Sequence, residues 1–222
     1  MSVITISREF GSQGDYIAER IAQSLGYHFV DKEFIGIVLS QYGLAEFDRE
    51  YETMPGFWEK FNAQREKRRD VMVDMLNQVV RAVAQHGDVV ILGRSGFVVL
   101  AGLADVLHVR LQAPLSVRVE RVMAQHKIPF EQAEAIVKEK DKVRVAFIEE
   151  FYGVPWEAIR AFDLVINTEK ISPDLAATWV VDAAKAIIVS PISEKLTSSS
   201  IEVDPILANT VSDELGCKTA HR

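Results

Sequence analysis

Cysteine is almost absent from the 222 residues: Cys217 stands alone. One thiol forms no intrachain disulfide, so this is no disulfide-stapled scaffold, and a reducing cytoplasm is the expected setting. No segment approaches the roughly 18 consecutive apolar residues of a membrane helix. The first residues also lack a basic stretch followed by an apolar run, so no membrane partner and no export leader are expected. Positive charge is in deficit. The formal net charge is -7, which argues against a broad nucleic-acid-binding face and still allows a local pocket built from a few arginines. The five histidines and the cysteine lack metal-ligand spacing. No internal repeat is present.

What remains is a chain in which strands alternate with helices. Val3–Ile6, "YHFVD", "VVILG", "VLHVRLQA" and "DLVINT" read as strands. "VVILG" is apolar throughout, as in parallel sheets buried on both faces. Between them, Tyr16, Ile17, Ile21 and Leu25 recur at helical spacing, with Gly26 suited to the C-cap. "KEFIGIVLSQYG" reads as a second helix. A long amphipathic helix is expected from Val71 to about Gln85, another after Pro114, a charged helical stretch over 124–145 broken at Pro129, and one from Pro173 to Val189. This order predicts an α/β fold with a mostly parallel central sheet and helices in layers on both faces. Ligands in such folds sit at the carboxyl ends of the strands. The loops after Ile6, Val30, Leu92, Leu111 and Thr168 are therefore expected to border one site. Residues 45–70 are rich in charge and aromatics and are interrupted by Pro55-Gly56, so they read as a helical insertion. After Pro191 the chain turns polar and Ser/Thr-rich. Residues 190–222 read as an extension that packs on the surface or is partly flexible.

The stretch "ITISREFGSQGDYIAERI" has the layout of a phosphate-binding loop, running from strand through glycine turn to helix. Against the pattern G-x-x-x-x-G-K-[ST], Glu9 holds the first glycine position, Asp15 the lysine position and Tyr16 the Ser/Thr position. The physical elements persist. Gly11 and Gly14 allow close backbone approach to an anion. Ser12, Gln13 and Asp15 complete the turn, and the helix beginning near Asp15 directs free N–H groups and its positive dipole end at the loop. Asp15 itself suits helix capping, so a well-capped strand-to-helix turn explains the loop about equally well. Arg8, at the strand end, can fold its fork of donors over a phosphate.

Three more stretches bear on the chemistry. "VVILGRSGFVVL" puts Gly93-Arg94 just past a buried strand, where an arginine must find a partner or a pocket. "VLHVRLQAPLSVRVERV" puts Arg118 and Arg121 on the helix after a strand. "KEKDKVRVAFIEEFYG" puts Asp141 and Arg144 three apart on one helical face. Taken with "ISREFGSQGDYIAERIAQSLGYHFVDKEFI", this ordered set resembles the cytidylate kinase-like family, a nucleoside monophosphate kinase branch of the P-loop superfamily, over residues 3 to 189. The loop without lysine resembles that branch in particular.

The resemblance implies a three-layer P-loop kinase fold over residues 1–189, with 45–70 as the acceptor-side insertion and 121–147 as a lid. It implies ATP and Mg²⁺ as cofactors and small-molecule nucleotides as partners. Arg94 resembles the family's arginine that grips the acceptor phosphate. Ser95 stands where classical members have a sugar-reading aspartate, which puts cytidine preference in doubt. Asp31 resembles the aspartate at the edge of the acceptor pocket, with Lys32 beside it. Arg121 resembles the first lid arginine near the donor nucleotide. Arg144 resembles the lid arginine that reaches the transferring phosphate, oriented by Asp141. Arg8, Lys32, Arg94, Arg121, Lys140 and Arg144 are the candidate charges. Tyr16 cannot replace the metal-binding hydroxyl, so Ser7 or Ser12 would have to supply one. Plainer readings stand beside these: a solvated face for Arg118 and Arg121, a surface pair for Asp141 and Arg144, a strand-end turn for Asp31, and helix packing for Trp58 and Phe61. Two other functions are compatible with the same residues. One is nucleotide binding without turnover, suggested by the missing lysine. The other is a kinase for a different small-molecule acceptor, suggested by Ser95.

Overall fold

The computed structural model of the chain describes residues 2–44, 63–189 and 196–216, and the side chains of 63–68 and 188–189 lie outside the description. Most of the acceptor-side insertion, including Trp58 and Phe61, and also Cys217 fall outside the described residues.

Among the described residues five strands form one sheet: β1 (Val3–Arg8), β2 (His28–Val30), β3 (Val89–Leu92), β4 (Val106–Gln112) and β5 (Leu164–Asn167), in the order β2-β3-β1-β4-β5. Every pairing is parallel. The first strand made is thus the central one. Side chains alternate between two cores, as the two-residue period of a strand requires. Val3, Val89 and Ile91 face one cluster; Ile4, Ile6, Val90 and Leu92 face the other. This double burial is why β3 reads as a continuous apolar run.

One face is covered by α1 (Gly14–Leu25) and α7 (Pro173–Val189). The other carries α2 (Lys32–Gln41), α3 (Ala63–His86), the short α4 (Gly96–Val99) and α8 (Pro205–Glu214). The long helix begins at Ala63, earlier than the expected Val71, because its polar first turns carry no apolar period to mark them. α5 (Leu115–His126) and α6 (Phe130–Tyr152) pack on each other through a cluster of their own, Val119, Val122, Ala133 and Val137, which Phe10 joins. Pro129 breaks the two helices as expected.

Residues 196–216 pack on the core. Leu207 and Val211 of α8 are buried in the same cluster as Val3 and Leu76. Asp105 accepts from both the N–H and the hydroxyl of Ser198 at 2.7 and 2.6 Å. Gln85 donates to the Ile201 carbonyl, and Gln41 is bonded to Glu214. The polar composition of this stretch hid two anchoring apolar residues at helical spacing.

Candidate active site

A cavity of about 370 Å³ opens at the carboxyl ends of β1, β2 and β3. Five cations line it: Arg8, Lys32, Arg94, Lys140 and Arg144. Asp15, Asp31 and Glu33 are the acids on its wall, and Ser7 and Ser95 also border it. The expectation that all five strand-end loops meet there is corrected in part. The loops after β4 and β5 reach the other side of the glycine turn, through Ala113 and Thr168.

Arg8 lies folded over the turn. A Cβ on Gly14 would stand 2.6 Å from Arg8 Cγ, and one on Gly93 would stand 2.2 Å from an Arg8 terminal nitrogen. The two glycines form the channel that admits this side chain. Its guanidinium is 3.9 Å from Asp15. Gly93, Arg94 and Ser95 all have left-handed backbone, with φ of 75, 50 and 58°. Two consecutive non-glycine residues in that region are costly, of order 1–2 kcal/mol each. The turn sets Arg94, 4% exposed, and Ser95, 3% exposed, against the cavity. Ser95 Oγ has no hydrogen-bond partner among the described residues.

Several expected site residues are placed differently. Asp15 does not cap α1. Gln13 holds that position in a left-handed conformation, and Asp15 sits in the first turn because Gly14 is already helical. Ser12 is fully buried and donates its hydroxyl to the Glu9 carbonyl at 2.8 Å, so of the two serines expected to offer a metal-binding hydroxyl only Ser7 borders the cavity. Tyr16 turns away and donates to Asp174 at 2.9 Å; that bond raises its pKa. Asp31 caps α2, accepting from the N–H groups of Glu33 and Phe34, while still bordering the cavity. Arg121 is directed inward and not to solvent: it donates to Thr168 Oγ1 at 3.0 Å, to the Thr168 carbonyl at 2.6 Å and to the Gly11 carbonyl at 3.4 Å. Burial lowers its pKa. Gly11 packs tightly on the backbone of Arg118.

Arg118 is not on a solvated face either; it is 7% exposed. It donates to the carbonyls of Ala113 and Phe10, pairs with Asp141 and lies 3.3 Å from Glu9. Asp141 accepts from the Phe10 N–H at 2.8 Å and reaches Arg144 only at 3.5 Å. Its main partners are therefore the loop and Arg118. Glu9, in the first glycine's position, accepts from the Ala113 N–H.

Sequence reading missed Phe10, Phe97, Val143, Ile148 and Trp156 on the cavity wall. A signal existed for part of this: Lys140, Arg144 and Ile148 recur every four residues on one face of α6. Trp156 carried none by itself. It is held by Arg110, whose guanidinium lies 4.2 Å from the indole centroid and donates to its carbonyl. Among the described residues no group of three or more His, Cys, Asp or Glu could hold a metal.

The structure is that of an α/β protein with a parallel sheet whose central strand turns through glycines into a helix, with cations at the strand ends. The chain belongs to the cytidylate kinase-like family, whose model matches residues 3–170. It is similar to the cytidylate kinase of Methanopyrus kandleri, at 31% identity over 180 residues, covering 78% of this chain and 87% of that protein. The cytidylate kinase of Ignicoccus hospitalis is 29% identical, over 78% of this chain and 94% of its own length. The fold resembles a solved, uncharacterized protein from Eubacterium ventriosum, with TM-score 0.64 and 19% identity, covering 84% of this chain and 99% of that one.

Proposed function

We propose that the protein is a nucleotide kinase that transfers the γ-phosphoryl group of ATP to a nucleoside monophosphate. The observation that carries this reading is the gathering of Arg8, Lys32, Arg94, Lys140 and Arg144 on one cavity beside a glycine turn. Phosphoryl transfer asks little covalent chemistry of a protein; it asks for positioning and for positive charge around the equatorial oxygens. The acceptor's phosphate oxygen is already anionic, so no general base is needed. It forms a bond to the γ-phosphorus, the bond to the β–γ bridging oxygen breaks, and ADP leaves with that electron pair.

The roles follow the placement. The Gly11–Gly14 turn and the start of α1 receive the donor phosphates, with Arg121 on their outer side. Arg8, lying in its glycine channel, supplies the charge that the sequence lacks at Asp15. Arg94 holds the acceptor phosphate, and Asp31, Lys32 and Ser95 line the acceptor's side. Arg144, with Lys140 one turn before it, meets the group in flight. Mg²⁺, when bound with ATP, would neutralise phosphate charge, with Ser7 the hydroxyl at hand.

The test is ADP formation from ATP and Mg²⁺ with CMP, dCMP, UMP, AMP and GMP, repeated with hydroxyl-bearing acceptors. Turnover with one monophosphate is expected. Arg94→Ala should lower kcat by about a hundredfold or more, and Arg8→Ala should do the same. ATP binding by calorimetry without turnover on any acceptor would sink the kinase reading and leave a binding protein. Turnover confined to the other acceptors would move it to a different substrate class.

A further inference from the structure

Resting on that reading, we infer that Arg118 is a positioning residue for phosphoryl transfer: it holds Asp141 so that one carboxylate fixes both the glycine turn and Arg144. The geometry is a closed ring. Arg118 donates to the Phe10 carbonyl at 3.0 Å and pairs with Asp141, and Asp141 accepts the Phe10 N–H at 2.8 Å. Both backbone polar groups of Phe10, the loop residue just before Gly11, are thus claimed from outside the loop. The same carboxylate lies 3.5 Å from Arg144, whose guanidinium stands 5.5 Å from the centroid of the Phe10 ring.

Two more contacts make the arrangement stiff. Arg118 Nε is committed to the Ala113 carbonyl at 2.8 Å, and Glu9 closes on it at 3.3 Å. Gly11 packs on the Arg118 backbone, where an added Cβ would stand 3.0 Å from its carbonyl oxygen. The rigid guanidinium reaches these acceptors from two separate nitrogens, Nε to the Ala113 carbonyl and a terminal nitrogen to the Phe10 carbonyl and Asp141, a span that the single point charge of a lysine does not reproduce. In a loop with no lysine to bind it to its ligand, rigidity comes from α5 and α6. Arg118 touches neither substrate nor cavity; it acts through Asp141 on Arg144.

A double-mutant cycle tests this. Arg118→Lys keeps the charge and loses the fork. It should lower kcat on the order of ten- to a hundredfold, with the acceptor KM little changed. In an Arg144→Ala background the same change should cost clearly less than it does alone, because only the hold on the glycine turn is then left to lose. Asp141→Asn, which retains an oxygen for the Phe10 N–H, should reproduce the pattern and carries the cycle where Arg118→Lys does not fold. The cycle is also read on the ATP dissociation constant by calorimetry. A wild type that binds ATP without turnover then fails the kinase reading while still testing this one. Equal losses with and without Arg144, or unchanged turnover and binding in Arg118→Lys, would overturn the inference. A protein that neither binds nor turns over ATP overturns both.

Discussion

Ser95 keeps its hydroxyl buried, on a left-handed backbone, without a hydrogen-bond partner among the described residues. Burying an unpaired hydroxyl costs about 1–3 kcal/mol. Ser95→Ala should therefore unfold at the same or a higher urea midpoint than the wild type. If the hydroxyl serves the acceptor, the same variant should raise the acceptor KM about tenfold. A lower midpoint with unchanged KM would make Ser95 structural. Gly93 makes a related argument about Arg8. A Cβ there meets only the far end of the Arg8 side chain, so the guanidinium must swing aside. Gly93→Ala should lose turnover to the extent that Arg8→Ala does, and the two changes together should be no worse than either. Additive losses would mean that Gly93 matters for its φ of 75° and not for the channel.

At the scale of elements, β4 carries a histidine that burial discharges. His108 has its pKa lowered from 6.5, first by burial, against the opposing field of Asp163. Its Nδ1 lies 2.7 Å from Thr5 Oγ1. The unfolded chain binds this proton more readily than the native one, so this contribution is complete above pH 6.5 and is lost as pH falls toward the lowered native value. His108→Gln should flatten the fall in urea midpoint between pH 7.5 and pH 5.5. An unchanged slope would assign the fall to carboxylates instead. Several elements were legible from local signals: β3 is an apolar run, Gly26 ends α1, and Pro129 separates α5 from α6. The contacts that shape the site were not. Phe10 and Asp141 are 131 residues apart, Glu9 and Ala113 104, Arg110 and Trp156 46. No local period encodes such pairs. A charged Arg110 inside "VLHVRLQ" signalled that a partner existed without saying which.

In the molecule as a whole, residues 196–216 cross back over α2 and α3 and complete the core there. A chain ending at residue 190 would lose Leu207 and Val211, each 2% exposed or less, and the Ser198 partner of buried Asp105. Burial of a large apolar side chain contributes about 1.5–3 kcal/mol, so the urea stability of that truncation should fall by about 3 kcal/mol or more. Amides of α2 and α3 should exchange faster while those of α1 and α7 keep their protection. Equal protection in both sets, or an unchanged midpoint, would mean that the extension adds nothing to the core.

The position of that segment in the chain has a consequence for biosynthesis. β1, the centre of the sheet, leaves the ribosome first, and the helix that seals the face of α2 and α3 is translated after everything it covers. Throughout elongation the nascent chain must carry an open apolar face. Pauses in translation before residue 205 would lengthen the interval in which a chaperone, or a neighbouring nascent chain, finds that face first.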